Sequence, residues 1–267
     1  MKDAIGIFYI ENGKTRGIDN WENQEGTDII YEVIRVIEGK VLFYESHYDR
    51  MVNSCILSNT EFKMTKYSLK KDIELLIESN KVREGNLKIT FKSKEKVLRI
   101  FCIKHSYPTT DMYKLGVKTI LYYGERTNPN AKIINNNFRK DVQDKIEEKN
   151  AFEAILVNKD NNITEGSKSN IFLIKDEILF TSRVELVLPG VTRTEIINVA
   201  KKNNIKVCEG NVNADTIEEF DALFISGTSP NILPISDVND IKYNINHKLL
   251  RQLMILFEDT IKRQINV

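Results

Sequence analysis

Cysteine is scarce in this chain: Cys55, Cys102 and Cys208 are the only three among 267 residues. They are widely spaced and include no C-x-x-C pair, which argues against a disulfide framework and against a zinc site. Long hydrophobic runs are missing as well. No apolar stretch reaches the length needed to cross a bilayer, and Met1-Lys2-Asp3 leads straight into the short run Ala4 to Ile10, unlike a signal peptide. Neither sign of charge dominates. With 39 Lys and Arg against 38 Asp and Glu the net charge is +1, so nucleic acid is not an expected partner. Repeats and low-complexity segments are absent, and no Gly-rich loop joins a strand to a helix, so a Rossmann-type nucleotide fold has no support. What is present, 41% hydrophobic and 29% charged residues, is an ordinary globular composition. It is large enough for one big domain or two smaller ones, expected in the cytoplasm with no membrane contact.

The pattern along the chain divides it in two. Residues 4 to 10 read as a strand, Ile29 to Ile37 and Val41 to Tyr44 as two more joined by Glu38-Gly39-Lys40. Tyr48, Met51, Val52, Cys55 and Ile56 then share one helical face, with Ser46 and Asp49 in cap positions, and Leu69, Ile73, Leu76 and Ile77 mark a second helix. Strands at Asn86 to Phe91, Val97 to Ile103 and Gly116 to Tyr123 complete this half. The polar segment Gly124 to Asn130 reads as a linker, giving a small domain over 1-122, a linker over 123-131 and a larger domain over 132-267. Beyond it, Phe138, Val142 and Ile146 space as a helix, and strands are expected at Ala151 to Val157, Ile205 to Cys208 and Ala222 to Ile225. A long final helix carries Leu249, Leu250, Leu253, Met254, Phe257 and Ile261.

Ile163 to Arg193 holds the densest set of polar candidates. Strand-like runs at Asn170 to Ile174 and Glu177 to Thr181 flank the turn candidate Lys175-Asp176. Glu165-Gly166-Ser167-Lys168-Ser169-Asn170 precedes them as a polar loop, and Leu188-Pro189-Gly190-Val191-Thr192-Arg193 follows. Ile196, Ile197, Val199 and Ala200 lie on one face of the next helix, whose start carries a T-x-x-E capping box in Thr192 and Glu195. A helix that begins in Pro-Gly presents backbone N–H groups at the positive end of its dipole, a place that suits a phosphate, although every helix needs a cap of some kind.

Tyr31-Glu32, His47-x-x-Arg50, Lys132, Glu165-Gly-x-x-Ser169-Asn170, Leu188-Pro-Gly-Val-Thr-Arg193 and Gly227-Thr228 occur in order across most of the chain. Together they resemble the class IV aminotransferases, the pyridoxal-phosphate enzymes of fold type IV, which include branched-chain and D-amino-acid aminotransferases and aminodeoxychorismate lyase. The resemblance implies an α+β protein of two domains, a small α/β domain and a larger domain with a pseudo-barrel sheet, with cofactor at their junction and a homodimer as the usual assembly. Lys132 then matches the Schiff-base lysine. Its neighbours Ile133 and Ile134 would desolvate the amine and favour its free base, where an exposed surface lysine is the plain alternative. Glu165 matches the carboxylate that pairs with the pyridine nitrogen, though alone it reads as a turn residue. Arg50, the Val191 and Thr192 amides with the Thr192 hydroxyl, and Gly227-Thr228 match phosphate donors. Leu188 matches a residue packed against the ring, and Ser169 and Asn170 belong to the same cofactor motif. Tyr31 lines the substrate pocket in the family and equally suits a sheet core. His47 reads as capping or packing, and His105 and His247 match nothing.

Two departures concern substrate. Where many members carry Arg-Gly and a longer loop, this chain has Lys92-Ser93; Lys92 still offers a charge, as a point donor without a bidentate fork. The usual Gly-Asp-Gly before the Tyr-Glu pair is replaced by Glu25-Gly26-Thr27-Asp28. The expected activity is amino transfer between an amino acid and a 2-oxo acid, with Lys132 as acid and base. The alternatives are an aminodeoxychorismate lyase releasing 4-aminobenzoate and pyruvate, which uses the same lysine and carboxylate, and a non-catalytic descendant. Donor, acceptor and stereochemical preference are not legible.

Overall fold

A computed structural model describes residues 3–26, 28–134 and 136–266; Thr27, in the altered segment before the Tyr-Glu pair, lies outside the described residues. The chain forms two compact units, Met1–Ser106 with Ala131–Ile134 and Lys262–Val267, and Tyr107–Asn130 with Asn135–Ile261.

The first unit is built on strands β1 (Ala4–Glu11), β2 (Lys14–Gly17), β3 (Ile29–Ile37), β4 (Lys40–Val41), β5 (Glu84–Lys92) and β6 (Val97–Ile103). They form one antiparallel sheet in the order β2-β1-β6-β5-β3-β4. Period-two alternation sends Ile30, Ile34, Leu87, Ile89, Leu98 and Ile100 to one face. There they meet helices α1 (Tyr44–Leu57) and α2 (Lys66–Asn80) through Met51, Cys55, Leu69, Ile73 and Leu76, all buried. The opposite face gathers Tyr9, Trp21 and Phe101. Residues Ala131 to Ile134 run along β3: the Tyr31 N–H donates to Lys132 O at 3.0 Å and the Ile134 N–H to Ile29 O at 3.2 Å.

The second unit contains α3 (Thr110–Leu115), β7 (Val117–Tyr123), α4 (Asn136–Glu148), β8 (Glu153–Val157), β9 (Asn162–Gly166), β10 (Asn170–Lys175), β11 (Ile178–Ser182), α5 (Val191–Lys202), β12 (Val207–Gly210), β13 (Val212–Asn213), β14 (Ala222–Gly227), β15 (Asn231–Val238) and β16 (Ile241–Lys242). The sheet order is β12-β11-β10-β14-β15-β7-β8-β9-β13, with β16 on β15. It curls back on itself: the Ser182 hydroxyl of β11 donates to Ile163 O of β9 at 2.9 Å, and the Gly166 N–H to Ser169 O at 2.8 Å. One side is packed by Ile155, Ile163, Ile171, Leu223, Ile225 and Leu233. A final helix α6 (Lys248–Ile265) buries Leu249, Leu250, Leu253, Phe257 and Ile261.

Several boundaries differ from those expected. The strand expected over Val41 to Tyr44 stops at Val41, because Phe43 turns left-handed (φ 51°) and α1 begins at Tyr44; Ser46 and Asp49 lie inside the helix and do not cap it. The hairpin turn falls one residue later, at Asp176-Glu177, since Lys175 pairs with Ile178 and both turn residues have positive φ, 51° and 60°. Glu165 stands on β9 and not in a loop. Gly190 is the N-cap of α5, two residues before the expected one, so Thr192 is inside the helix and no side-chain cap forms, in place of the expected capping box. Strand β7 pairs with β8 and β15 in the second sheet instead of closing the first half, while Lys132 belongs to the first unit. Strand β15 is hidden in the sequence by Pro234, which cannot donate to a ladder; its pairing with β7 shifts register just beyond it, between Ile235 and Asp237.

Candidate active site

In the first unit the candidates converge on Glu32. This carboxylate is fully buried, sent to the helix side of the sheet by the alternation of β3. Arg50, on α1, grips it with both ends of its fork, Nε to Oε1 at 2.8 Å and Nη2 to Oε2 at 2.7 Å. His47, three residues earlier and hence on the same helix face, places Nδ1 2.7 Å from Oε2. Burial pushes the Glu32 carboxyl up, but the Arg50 guanidinium, aided by His47, overcomes this and holds it at about 2. Burial lowers the His47 imidazole; the bond to Glu32 opposes that, while Arg50 and Lys132 add to it. Glu32 and His47 are thus the residues that spacing alone undervalued: a Glu on the inward face of a strand, paired with H-x-x-R on the next helix, was the available signal.

Lys132 lies close by. Its backbone N–H donates to the Ser54 hydroxyl of α1 at 3.2 Å, and its ammonium stands 4.8 Å from the centre of the Tyr31 ring. Pairing with β3 fixes the segment, and the aromatic face stabilises the cation. Tyr31 is directly opposite Thr90, and Thr90 opposite Arg99, on the sheet face away from the helices. That face opens into a cavity of about 770 Å³ whose lining includes Glu11, Lys92, Glu95, Val97 and Arg99. There Arg99 pairs with Glu11 at 2.8 Å and Lys92 with Glu95 at 2.6 Å.

The second unit brings together the other set. Glu165 is buried, with Oε2 accepting the Leu188 N–H at 3.0 Å and Oε1 accepting Arg126 Nη1 at 3.2 Å. Arg126 sits in the presumed linker and carried no signal of its own in the sequence. The loop from Gly166 to Ser169 wraps a second buried carboxylate, Glu153. It accepts from the Ser167 and Lys168 N–H groups and from the hydroxyls of Ser167 and Ser169. Asn170 donates from Nδ2 to Leu188 O at 2.9 Å. The Ser169 side chain is thus spent on Glu153, and the Asn170 amide holds the segment that carries Leu188. Helix α5 follows at Val191, with Thr192 buried and Gly190 offering no side chain to its first N–H groups. Gly227 and Thr228 lie at the β14–β15 turn, where Gly227 pairs with Asn231.

The first unit thus presents an amine on a pinned segment, and the second a buried carboxylate, a helix start with no side-chain cap and a Gly-Thr turn. Comparisons with known proteins specify the class. The family model for amino-transferase class IV matches residues 29–238. A D-alanine aminotransferase of Listeria monocytogenes is 29% identical over 231 residues, 80% of each chain. Among solved structures, the branched-chain amino acid aminotransferase of Escherichia coli superposes with a TM-score of 0.87 at 19% identity, covering 96% of this chain and 95% of that one. The branched-chain aminotransferase of Thermoproteus uzoniensis with norvaline gives 0.83 at 18%, over 97% and 96%. The chain belongs to the class IV aminotransferase family and has its fold, that of a pyridoxal-phosphate enzyme. The side-chain chemistry in each unit suits that group: an amine and a guanidinium in the first, a buried carboxylate, a helix start and a Gly-Thr turn in the second.

Proposed function

We propose that Lys132 is the catalytic lysine of this aminotransferase, and that the observation carrying the assignment is its ammonium held over the Tyr31 ring on a segment hydrogen-bonded to β3. Bound pyridoxal phosphate supplies a carbonyl carbon for an amine and a ring that draws negative charge away from the substrate Cα. Lys132 Nζ would hold the carbonyl end of that group and would serve as the base and acid that carries a proton from and back to the substrate Cα. Glu165 holds the ring nitrogen in its protonated state, while Leu188 packs against the ring. Arg50, the Val191 and Thr192 N–H groups, the Thr192 hydroxyl and Gly227-Thr228 hold the phosphate. Ser169 and Asn170 support these contacts from behind. Tyr31 and Lys92 belong to the substrate pocket. The resemblance implies a homodimer, and a cytoplasmic setting is the default for three widely spaced cysteines with no C-x-x-C pair.

Borohydride reduction of protein incubated with pyridoxal phosphate, followed by peptide mapping, tests the assignment. Label on Lys132 is expected; label on another lysine, or none, refutes it. Amino transfer to 2-oxoglutarate is then read from a panel of L- and D-amino acids. D-alanine heads that panel, being the substrate in the name of the Listeria relative. Release of 4-aminobenzoate from aminodeoxychorismate without amino transfer would instead establish the lyase.

A further inference from the structure

We propose that Arg126 is a positioning residue for Glu165: with the Leu188 N–H it clamps the two carboxylate oxygens from different sides and so fixes the direction in which Glu165 meets the cofactor ring. This rests on the role assigned to Glu165 above. The two donors stand on segments that are joined at Asn130. Leu188 is fixed through its own carbonyl, which accepts Asn170 Nδ2, and through the preceding residues, since the Val184 and Val187 carbonyls both accept Asn130 Nδ2 at 2.7 and 2.8 Å. Arg126 lies on the segment between Gly124, whose N–H donates to Val157 O at 2.9 Å, and that same Asn130. The segment is thus tied to strand β8 at one end and to the turn before Leu188 at the other. What composition marks as a linker is a brace whose single guanidinium is directed at the ring carboxylate.

The chemistry asks for such a brace. A carboxylate on one rotatable arm has about four acceptor positions, and two donors on opposite oxygens fix its plane while leaving acceptors for a third. The Arg126 side chain is only 16% exposed and the Glu165 side chain 4%, so water competes weakly for the pair. The guanidinium presents its donors in a rigid planar fork, which suits it to orient a carboxylate. Its removal leaves Leu188 as the one donor of these two.

The test compares wild type with Arg126→Ala, Arg126→Lys and Arg126→Gln in three readouts: the dissociation constant for pyridoxal phosphate by titration of the apoprotein, the pH midpoint of the bound cofactor's visible absorbance, and kcat against KM for the amino donor. Loss of a charged hydrogen bond predicts a dissociation constant raised about tenfold or more in Arg126→Ala, a displaced midpoint, and a fall in kcat larger than the change in KM. The lysine variant recovers part of this, because it keeps the charge without the fork, and the glutamine variant recovers less. A folded Arg126→Ala with wild-type affinity and midpoint overturns the proposal, even if its melting temperature falls. Where the alanine variant does not fold, equal constants in the lysine and glutamine variants overturn it. Wild type that binds no pyridoxal phosphate refutes the assigned function itself, whereas normal wild-type binding with unaltered variants refutes only the role of Arg126.

Discussion

Replacing Glu32 by glutamine removes one charge from a fully buried group while keeping its shape. The two bonds from Arg50, at 2.8 and 2.7 Å, lose their ionic partner, and the guanidinium is left charged in the interior. Breaking a buried pair in this way costs about 3–5 kcal/mol near neutral pH. The acid side of the titration separates this from ordinary packing loss. The Glu32 carboxyl is held at about 2 against an ordinary 4.5, which corresponds to roughly 3 kcal/mol of native stability at ~1.4 kcal/mol per pH unit. Because the folded value is depressed, that stability is complete above pH 4.5 and drains away as pH falls toward 2. By pH 3 about 2 kcal/mol of it is gone. His47 is also displaced from its ordinary range, so both proteins are best compared in a His47→Gln background, where only the carboxylate titrates. Urea unfolding at pH 7, 5, 4 and 3 gives the stability gap between the background and the added Glu32→Gln. Without the help of His47 the carboxyl is held less low, so the gap should narrow between pH 5 and 3 by less than the roughly 2 kcal/mol worked for the intact cluster. A gap that stays constant over that interval would refute the reasoning, since it would mean that Glu32 gains nothing from being ionised.

Two further substitutions probe the second unit. A methyl group at Gly190 would run into the Asn170 amide oxygen and approach the Arg193 Cβ to 3.3 Å. Gly190→Ala should therefore cost roughly 1–3 kcal/mol and weaken pyridoxal-phosphate binding together, both read by thermal melts with and without cofactor; unchanged binding would show that the start of α5 tolerates displacement. Glu153→Ala removes the acceptor shared by Ser167, Lys168 and Ser169. It should destabilise by about 1–3 kcal/mol through the orphaned donors and raise protease cutting within 166–169, and an unaltered cleavage pattern would count against the carboxylate as the organiser of that loop.

The elements with strong periodicity were legible from composition and pattern: α2 through Leu69, Ile73, Leu76 and Ile77, α6 through its leucines, and the β5–β6 pair. In each, the apolar stripe that defines the period is also the surface buried, so local pattern and packing agree. Strand β15 was not legible, because Pro234 reads as a strand breaker, whereas in the fold it pairs with Phe224 and lies just before the β7 ladder begins at Ile235. Strand β7 was recognised as a strand but not as a member of the second sheet, since pairing partners far apart in sequence leave no trace in a short window.

The site divides along the same line. Lys132, Glu165 and the Leu188-to-Arg193 run belong to ordered motifs, so their residue types are visible in sequence. Their supports, Glu32 under Arg50, Glu153 under the Ser169 loop and Arg126 against Glu165, are single charged residues with no spacing rule that ties them to the group they hold. A charged residue in a polar linker and a charged residue in a brace have the same one-letter code. What separates them is burial, and burial depends on which strands close the sheet. Assignments of charged residues from sequence are therefore weakest for the residues that orient the reacting groups, and in this enzyme those are the ones on which substitutions should act through geometry and not through lost chemistry.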